Sequence, residues 1–250
     1  MGSPLRPGEI GPETPVPISG NNIEIERSAA RFNRGFEVSD LKRVFETIVA
    51  TNKWGDEESV SGAGSTLSYT HNLRHELEKI IPEFGVATLF DAPCGDFNWM
   101  KEVSFPARMK YIGGDIVSPL IRSNNLAYAN PSRNFIEFDI TADRFPPCDL
   151  WLCRDCLFHL SFDSIFCALS RFCDSNAKYL MMTNHLNTSR FRNKDIESGD
   201  FRLLDFYIKP FNLPRDVLYS VADYVFPFPR REMCVWSRAQ IVDALRARGS

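Results

Sequence analysis

Three aspartates, Asp91, Asp115 and Asp139, recur at intervals of 24 residues, and each closes a short apolar run. A carboxylate at a strand end can accept two hydrogen bonds from ribose hydroxyls. Asp115 follows Gly95 by 20 residues, the distance at which that task falls in nucleotide-binding βαβ units. An aspartate after the next strand can accept from an adenine amino group. The first turn carries a single glycine, Gly95, which lets backbone approach a ligand. One glycine instead of three suits a nucleoside without a pyrophosphate. Four histidines complete the reactive set. His159 and His185 each follow an apolar run, where an imidazole can serve as a base near neutral pH. Asp155 stands four residues before His159, so a helical segment would bring both to one face, the carboxylate orienting the ring or holding it charged. His71 and His75 read as a solvated helix face.

The cysteines point elsewhere. Cys153 and Cys156 form a C-x-x-C, and Cys167 and Cys173 follow. Zinc knuckles sit on polar turns with a second tight pair. Here the first cysteine ends an apolar run and the later two are spread over a helical pattern. Seven cysteines, an odd number, with no export signal, read as reduced buried thiols in a cytoplasmic protein.

The elements that must position these groups follow from the pattern. Residues 1–20 hold five prolines and four glycines without periodicity and read as a disordered leader. Capped helices are expected over 41–51 and 67–81, with Pro82 helping to stop the second, so 21–82 form a helical cap or lid. The polar segment 54–69, with Gly62 and Gly64, can fold over a ligand. From residue 86 short apolar runs at 86–90, 111–116, 135–138, 150–153 and 179–183 alternate with helical stretches at 97–103, 118–129 and 162–172. That alternation predicts a doubly wound, mostly parallel α/β sheet whose strands are buried on both faces. Residues 185–215 form a polar and aromatic insert, in which Arg190, Arg192, Asn193, Asp195, Arg202, Tyr207 and Phe211 can grip a sugar, an acid or a phosphate. Two last strands, 217–226 and 233–236, are joined by a turn containing Arg230 and Arg231, which read as turn decoration; Ser237 caps a final helix, 241–246.

The chain has 250 residues, 44% apolar and 24% charged, with a net charge of −3, which weighs against a broad basic face for nucleic acid while leaving room for a local patch. No apolar run reaches the roughly 20 residues that a membrane helix needs.

At these residues the sequence resembles the class I S-adenosylmethionine-dependent methyltransferases. The run ending in Asp91, Ala92, Pro93, Cys94, Gly95 and Asp96 is similar to the family's first motif, with Pro93 and Phe97 at the outer glycine positions. Residues 112–116 resemble the second motif, 138–141 the third and 149–160 the fourth, and the likeness covers about 65–246. The stretches D-A-P-C-G-D-F-N-W-M and C-R-D-C-L-F-H-L-S are also similar to a bacterial-type subgroup that includes glycan-associated methyltransferases. The resemblance implies a seven-stranded Rossmann-like sheet over 83–250 and S-adenosyl-L-methionine as cofactor. It assigns Asp115 to the ribose, Asp139 to adenine and Asp91 with Gly95 to the methionine end, and counts Ala92, Pro93, Asp96, Ile116 and Ile140 among the cofactor-site residues. Cys153 and Arg154 become lining at the end of strand four. The activity implied is O-methylation of a small molecule or glycan with His159, then His185, as base. A related branch places E-x-x-E-H here and binds a divalent metal; Asp155 and His159 match its outer positions, but Phe158 replaces the second acid, so no metal is expected. Two other readings remain: a catalytically silent, methyltransferase-like binding module, and a nicotinamide-dependent reductase, which the missing glycines and antiparallel ending disfavour. An oligomer is compatible with the sequence.

Overall fold

A computed structural model describes residues 38–248 except 189, so the leader expected at 1–20 and the start of the cap lie outside the described residues. Seven strands form one sheet in the order β3-β2-β1-β4-β5-β7-β6. They are β1 Thr88–Asp91, β2 Lys110–Asp115, β3 Arg133–Glu137, β4 Leu150–Cys153, β5 Tyr179–His185, β6 Tyr219–Ala222 and β7 Arg231–Ser237. The first five are parallel, while β7 runs antiparallel to both β5 and β6. The order reverses between β1 and β4, and an open sheet of this kind presents its ligand crevice at the carboxyl ends beside that switch.

The strands are apolar on both faces because both faces are covered. Phe90, Trp151, Leu180, Met182 and Trp236 point into one core. Leu89, Leu152, Met181 and Val235 point into the other. Among the described residues, five helices flank the sheet: α1 Val38–Ala50, α2 His71–Glu83, α3 Ser118–Tyr128, α4 Phe162–Cys173 and α5 Arg238–Arg248. The cap of α5 is reciprocal: Gln240 N–H donates to Ser237 Oγ (3.2 Å) and Ser237 N–H to Gln240 Oε1 (2.8 Å).

Several boundaries differ from the sequence reading. Helix α2 runs through Pro82 to Glu83 and is closed by Gly85, whose φ of +60° lets its N–H reach Pro82 O while Val86 N–H reaches Ile81 O. The helix expected over 97–103 reduces to one 3-10 turn, Met100–Glu102, because Phe97 adopts φ +60°. Strand β6 is shorter than expected. The described residues of 186–215 hold no helix or strand, yet Leu204, Phe206, Phe211 and Leu213 are buried in the core against α4. Among the described residues, no helix is long and apolar enough to cross a membrane.

Candidate active site

A hollow of about 980 Å³, counted out to its open mouth, lies over the carboxyl ends of β1, β2 and β4. Asp91, Asp115 and Asp139 all line it, together with Pro93, Gly95, Asp96, Ile116, Ile140, Arg154, Asp155 and His159. Three expected residues do not line it. Ala92 is fully buried, with its carbonyl accepting from Trp151 Nε1 (2.8 Å). Cys153 is buried behind the strand end. His185 is the third. Its Nδ1 accepts from Leu204 N–H (3.2 Å), and its ring lies against Phe158 at 5.2 Å. Burial, with Arg231 nearby, pushes its pKa down to about 4. His185 is thus a buried core residue, one ring removed from His159, and does not reach the hollow.

The three aspartates are held differently. Asp115 accepts from Gly95 N–H at Oδ2 (3.0 Å) and from Val117 N–H at Oδ1 (2.9 Å), which fixes the carboxylate at the tip of β2. Burial raises its pKa to about 6 against those two bonds. Asp91 accepts from the Tyr111 hydroxyl at 2.5 Å, and burial raises its pKa to about 7. Asp139 accepts at Oδ1 from both Thr141 N–H (2.8 Å) and Thr141 Oγ1 (2.6 Å). Its Oδ2 is buried and accepts from no donor among the described residues. A buried polar atom without a partner is costly, so this oxygen suits a donor arriving with a ligand.

Gly95 has φ +55°, and a Cβ there would meet Ser61 Oγ at 2.2 Å. The close approach is made by the loop between α1 and α2, which is fastened to the β1 turn. Asp96 Oδ2 accepts from Ser59 Oγ (2.8 Å) and Val60 N–H (3.1 Å). Glu58 Oε1 accepts from Asn98 Nδ2 and from Leu67 N–H, both at 2.7 Å. That loop sets Trp54 on the hollow, and α1 adds Leu41, Phe45 and Val49. None of these four was marked by the sequence as a ligand contact, although Trp54 falls in the segment expected to cover one.

At the end of β4 the backbone turns sharply: Asp155 adopts φ +52°, and the chain continues as a 3-10 turn, Leu157–His159. The expected helical pairing of Asp155 with His159 therefore does not form. Asp155 Oδ2 accepts instead from Arg231 Nη2 (2.9 Å) and lies 3.3 Å from Arg154 Nη1. Arg154 grips Asp223 with two bonds, of 2.9 and 3.0 Å. The ring of Tyr69 lies 5.7 Å from the Arg154 guanidinium and 4.9 Å from that of Arg231. Burial pushes the Asp155 carboxyl up, but the charges of Arg154 and Arg231 outweigh it and hold it below the ordinary range. Arg231, expected to decorate a turn, is buried in this cluster.

His159 is oriented by the insert. Its Nδ1 lies 2.8 Å from the Asp200 carbonyl, an acceptor, so Nδ1 carries the proton and Nε2 keeps its lone pair. Burial lowers its pKa below the ordinary value, against that carbonyl and the Asp155 charge. None of the seven insert residues expected to grip an acceptor lines the hollow. Arg202, for example, is buried with Nη1 on the Phe158 carbonyl (3.1 Å).

No family model and no curated protein matches the chain. Solved structures do. The methyltransferase domain of bacterial CtHen1 (its C form) shares 8% identity over 68% of this chain and 98% of that one, with a TM-score of 0.52. The N-methyltransferase NodS from Bradyrhizobium japonicum WM9 shares 10% over 68% and 96%, TM-score 0.51. PigF, solved with S-adenosylhomocysteine, shares 10% over 68% of this chain, TM-score 0.50. The chain spans about half of some matched proteins: 56% of PigF and 50% of human N-acetylserotonin methyltransferase. The sheet order, the antiparallel β7 and these likenesses define the fold as that of the class I S-adenosylmethionine-dependent methyltransferases.

Proposed function

We propose that this protein transfers a methyl group from S-adenosylmethionine to a hydroxyl of a small acceptor. The observation that carries the reading is Asp139 Oδ2, a buried oxygen without a donor among the described residues, in the same hollow as Asp91 and Asp115. When bound, the cofactor supplies a sulfonium methyl for in-line displacement by the acceptor oxygen. Asp115 accepts from the ribose hydroxyls with the lone pairs that Gly95 and Val117 leave free. Asp139 accepts from the adenine amino group, and Ile116 and Ile140 flank that end. The turn of Asp91, Pro93, Gly95 and Asp96 shapes the methionine end, with Trp54 and α1 excluding water above it. His159 Nε2 takes the hydroxyl proton; its lowered pKa keeps the ring neutral and ready near pH 7. Such a site works chiefly by alignment. Asp155 and Arg154 neutralise one another's neighbours and hold the floor beneath His159.

Convergence of the carboxylates on one hollow supports this reading over a catalytically silent binding module. Two measurements test it. Calorimetry with S-adenosylhomocysteine should give binding, and absence of binding at millimolar ligand refutes the reading. His159→Ala should slow single-turnover transfer while leaving cofactor binding intact, and an unchanged rate removes the base role.

A further inference from the structure

The two ends of the hollow differ in kind. The nucleoside end is acidic, whereas the end at His159 is built of rings. Trp54 and His159 face each other with centroids 5.2 Å apart and planes tilted by 33°. The His159 ring also lies 5.8 Å from Phe201, which is 58% exposed. Three rings therefore meet at this end: Trp54 and His159 on the hollow, with Cys156, Leu160 and Val49 lining it alongside, and the exposed Phe201 against the His159 ring.

The carboxylates and the guanidinium lining this end are already engaged. Ser61 and Asp96 bond to one another, and Arg154 and Asp155 belong to the cluster with Asp223 and Arg231. A sugar would bury many hydroxyls here with few partners, each a cost. A flat ring asks only for offset or edge-on aromatic contact. Resting on the methyl-transfer reading, we propose that the acceptor is an aromatic alcohol, received by the rings of Trp54, His159 and Phe201 with its hydroxyl at His159 Nε2. The bond changes balance: the phenolic oxygen bonds to the methyl carbon as the carbon–sulfur bond breaks. The electron pair stays on sulfur and the proton passes to Nε2, then to solvent. A phenol, with a pKa of about 10, is far closer to an imidazole than an aliphatic hydroxyl is, so the proton transfer is the easier of the two.

The test is calorimetry of the full chain with phenol, catechol and 2-naphthol, set against methyl β-D-glucoside and cyclohexanol, with and without S-adenosylhomocysteine, and radiolabelled methyl transfer to the same panel. The aromatic alcohols should bind and be methylated in preference to the other two. Phe201→Ala, at a position that is 58% exposed, should weaken 2-naphthol binding by about 3- to 10-fold and leave S-adenosylhomocysteine affinity unchanged. Trp54→Phe, which keeps a ring, should weaken it less than Trp54→Ala. Preference for the glucoside, or naphthol affinity unmoved by both Phe201→Ala and Trp54→Ala, overturns the acceptor class. Binding of S-adenosylhomocysteine with a silent aromatic panel overturns the acceptor class alone, whereas failure of S-adenosylhomocysteine to bind overturns the methyl-transfer reading beneath it.

Discussion

Replacing Asp139 by asparagine isolates one oxygen. Oδ1 would still accept from Thr141 N–H and Thr141 Oγ1, so the local turn is preserved. What changes is the buried, unpartnered Oδ2, which becomes an amide NH₂. An acceptor facing an incoming amino group turns into a donor facing a donor. A hydrogen bond to a charged group is worth about 1.5–3 kcal/mol, which at about 1.4 kcal/mol per decade corresponds to roughly 10- to 100-fold in affinity. Titration calorimetry of wild type and Asp139→Asn with S-adenosylhomocysteine should show that loss. Without ligand, the variant should be at least as stable as wild type in urea, because a buried carboxylate oxygen lacking a donor has been replaced by a neutral group. An affinity within about threefold of wild type would refute the argument that Oδ2 waits for a ligand donor. A large drop in stability would show instead that Asp139 is a structural turn former.

Three further outcomes follow from the site. Asp91 has its pKa raised from 3.8 to about 7 by burial, so the native state holds a proton that the unfolded chain has lost; stability is fully present below pH 4 and falls as pH rises towards 7. Asp91→Asn should flatten that slope, by an amount on the order of 4 kcal/mol at most, in urea unfolding of the unliganded protein across pH 4–8, and an unchanged slope contradicts the assignment. Asp223→Ala leaves Arg154, with 3% of its side chain exposed, without its bidentate partner, and should cost about 3–5 kcal/mol in chemical denaturation; a loss under about 1 kcal/mol would show that the cluster behaves like a surface pair. The acid limb of the kcat/KM profile should lie below pH 6.5, because His159 is shifted down from that value, and should vanish in His159→Gln; a limb above 6.5 points to another base.

Much of the architecture was readable because parallel strands covered on both faces must be apolar throughout, and each of the first three runs stops at an acid. The hollow's acidic end was legible for the same reason. Its other walls were not. The apolar stripe of α1 has the same pattern whether it meets a core or a cavity, so Leu41, Phe45 and Val49 carried no mark of their place. Arg231 looked like turn decoration because its partner Asp155 is 76 residues away, a distance over which a linear chain gives no pairing signal. The expected Asp155–His159 pairing failed on local geometry: four-residue spacing implies a shared face only in a helix, and Asp155 is left-handed. Both histidines stand at the carboxyl side of an apolar run, and only the folded chain, which puts Phe158 between them, shows that His159 and not His185 lines the hollow.

The final hairpin has a bearing on how the site comes into being. Because β7 inserts between β5 and β6, Asp223 and Arg231 arrive from the last strands to complete a cluster begun by Arg154 and Asp155 at the tip of β4. A polypeptide that has emerged only as far as β5 already holds Asp91, Asp115 and Asp139, whereas the ion-pair cluster beside His159 still lacks Asp223 and Arg231. On the proposed reading, the groups for the nucleoside and the groups for the acceptor are thus completed at different points along the chain, the second only with the strands of the sheet's far edge.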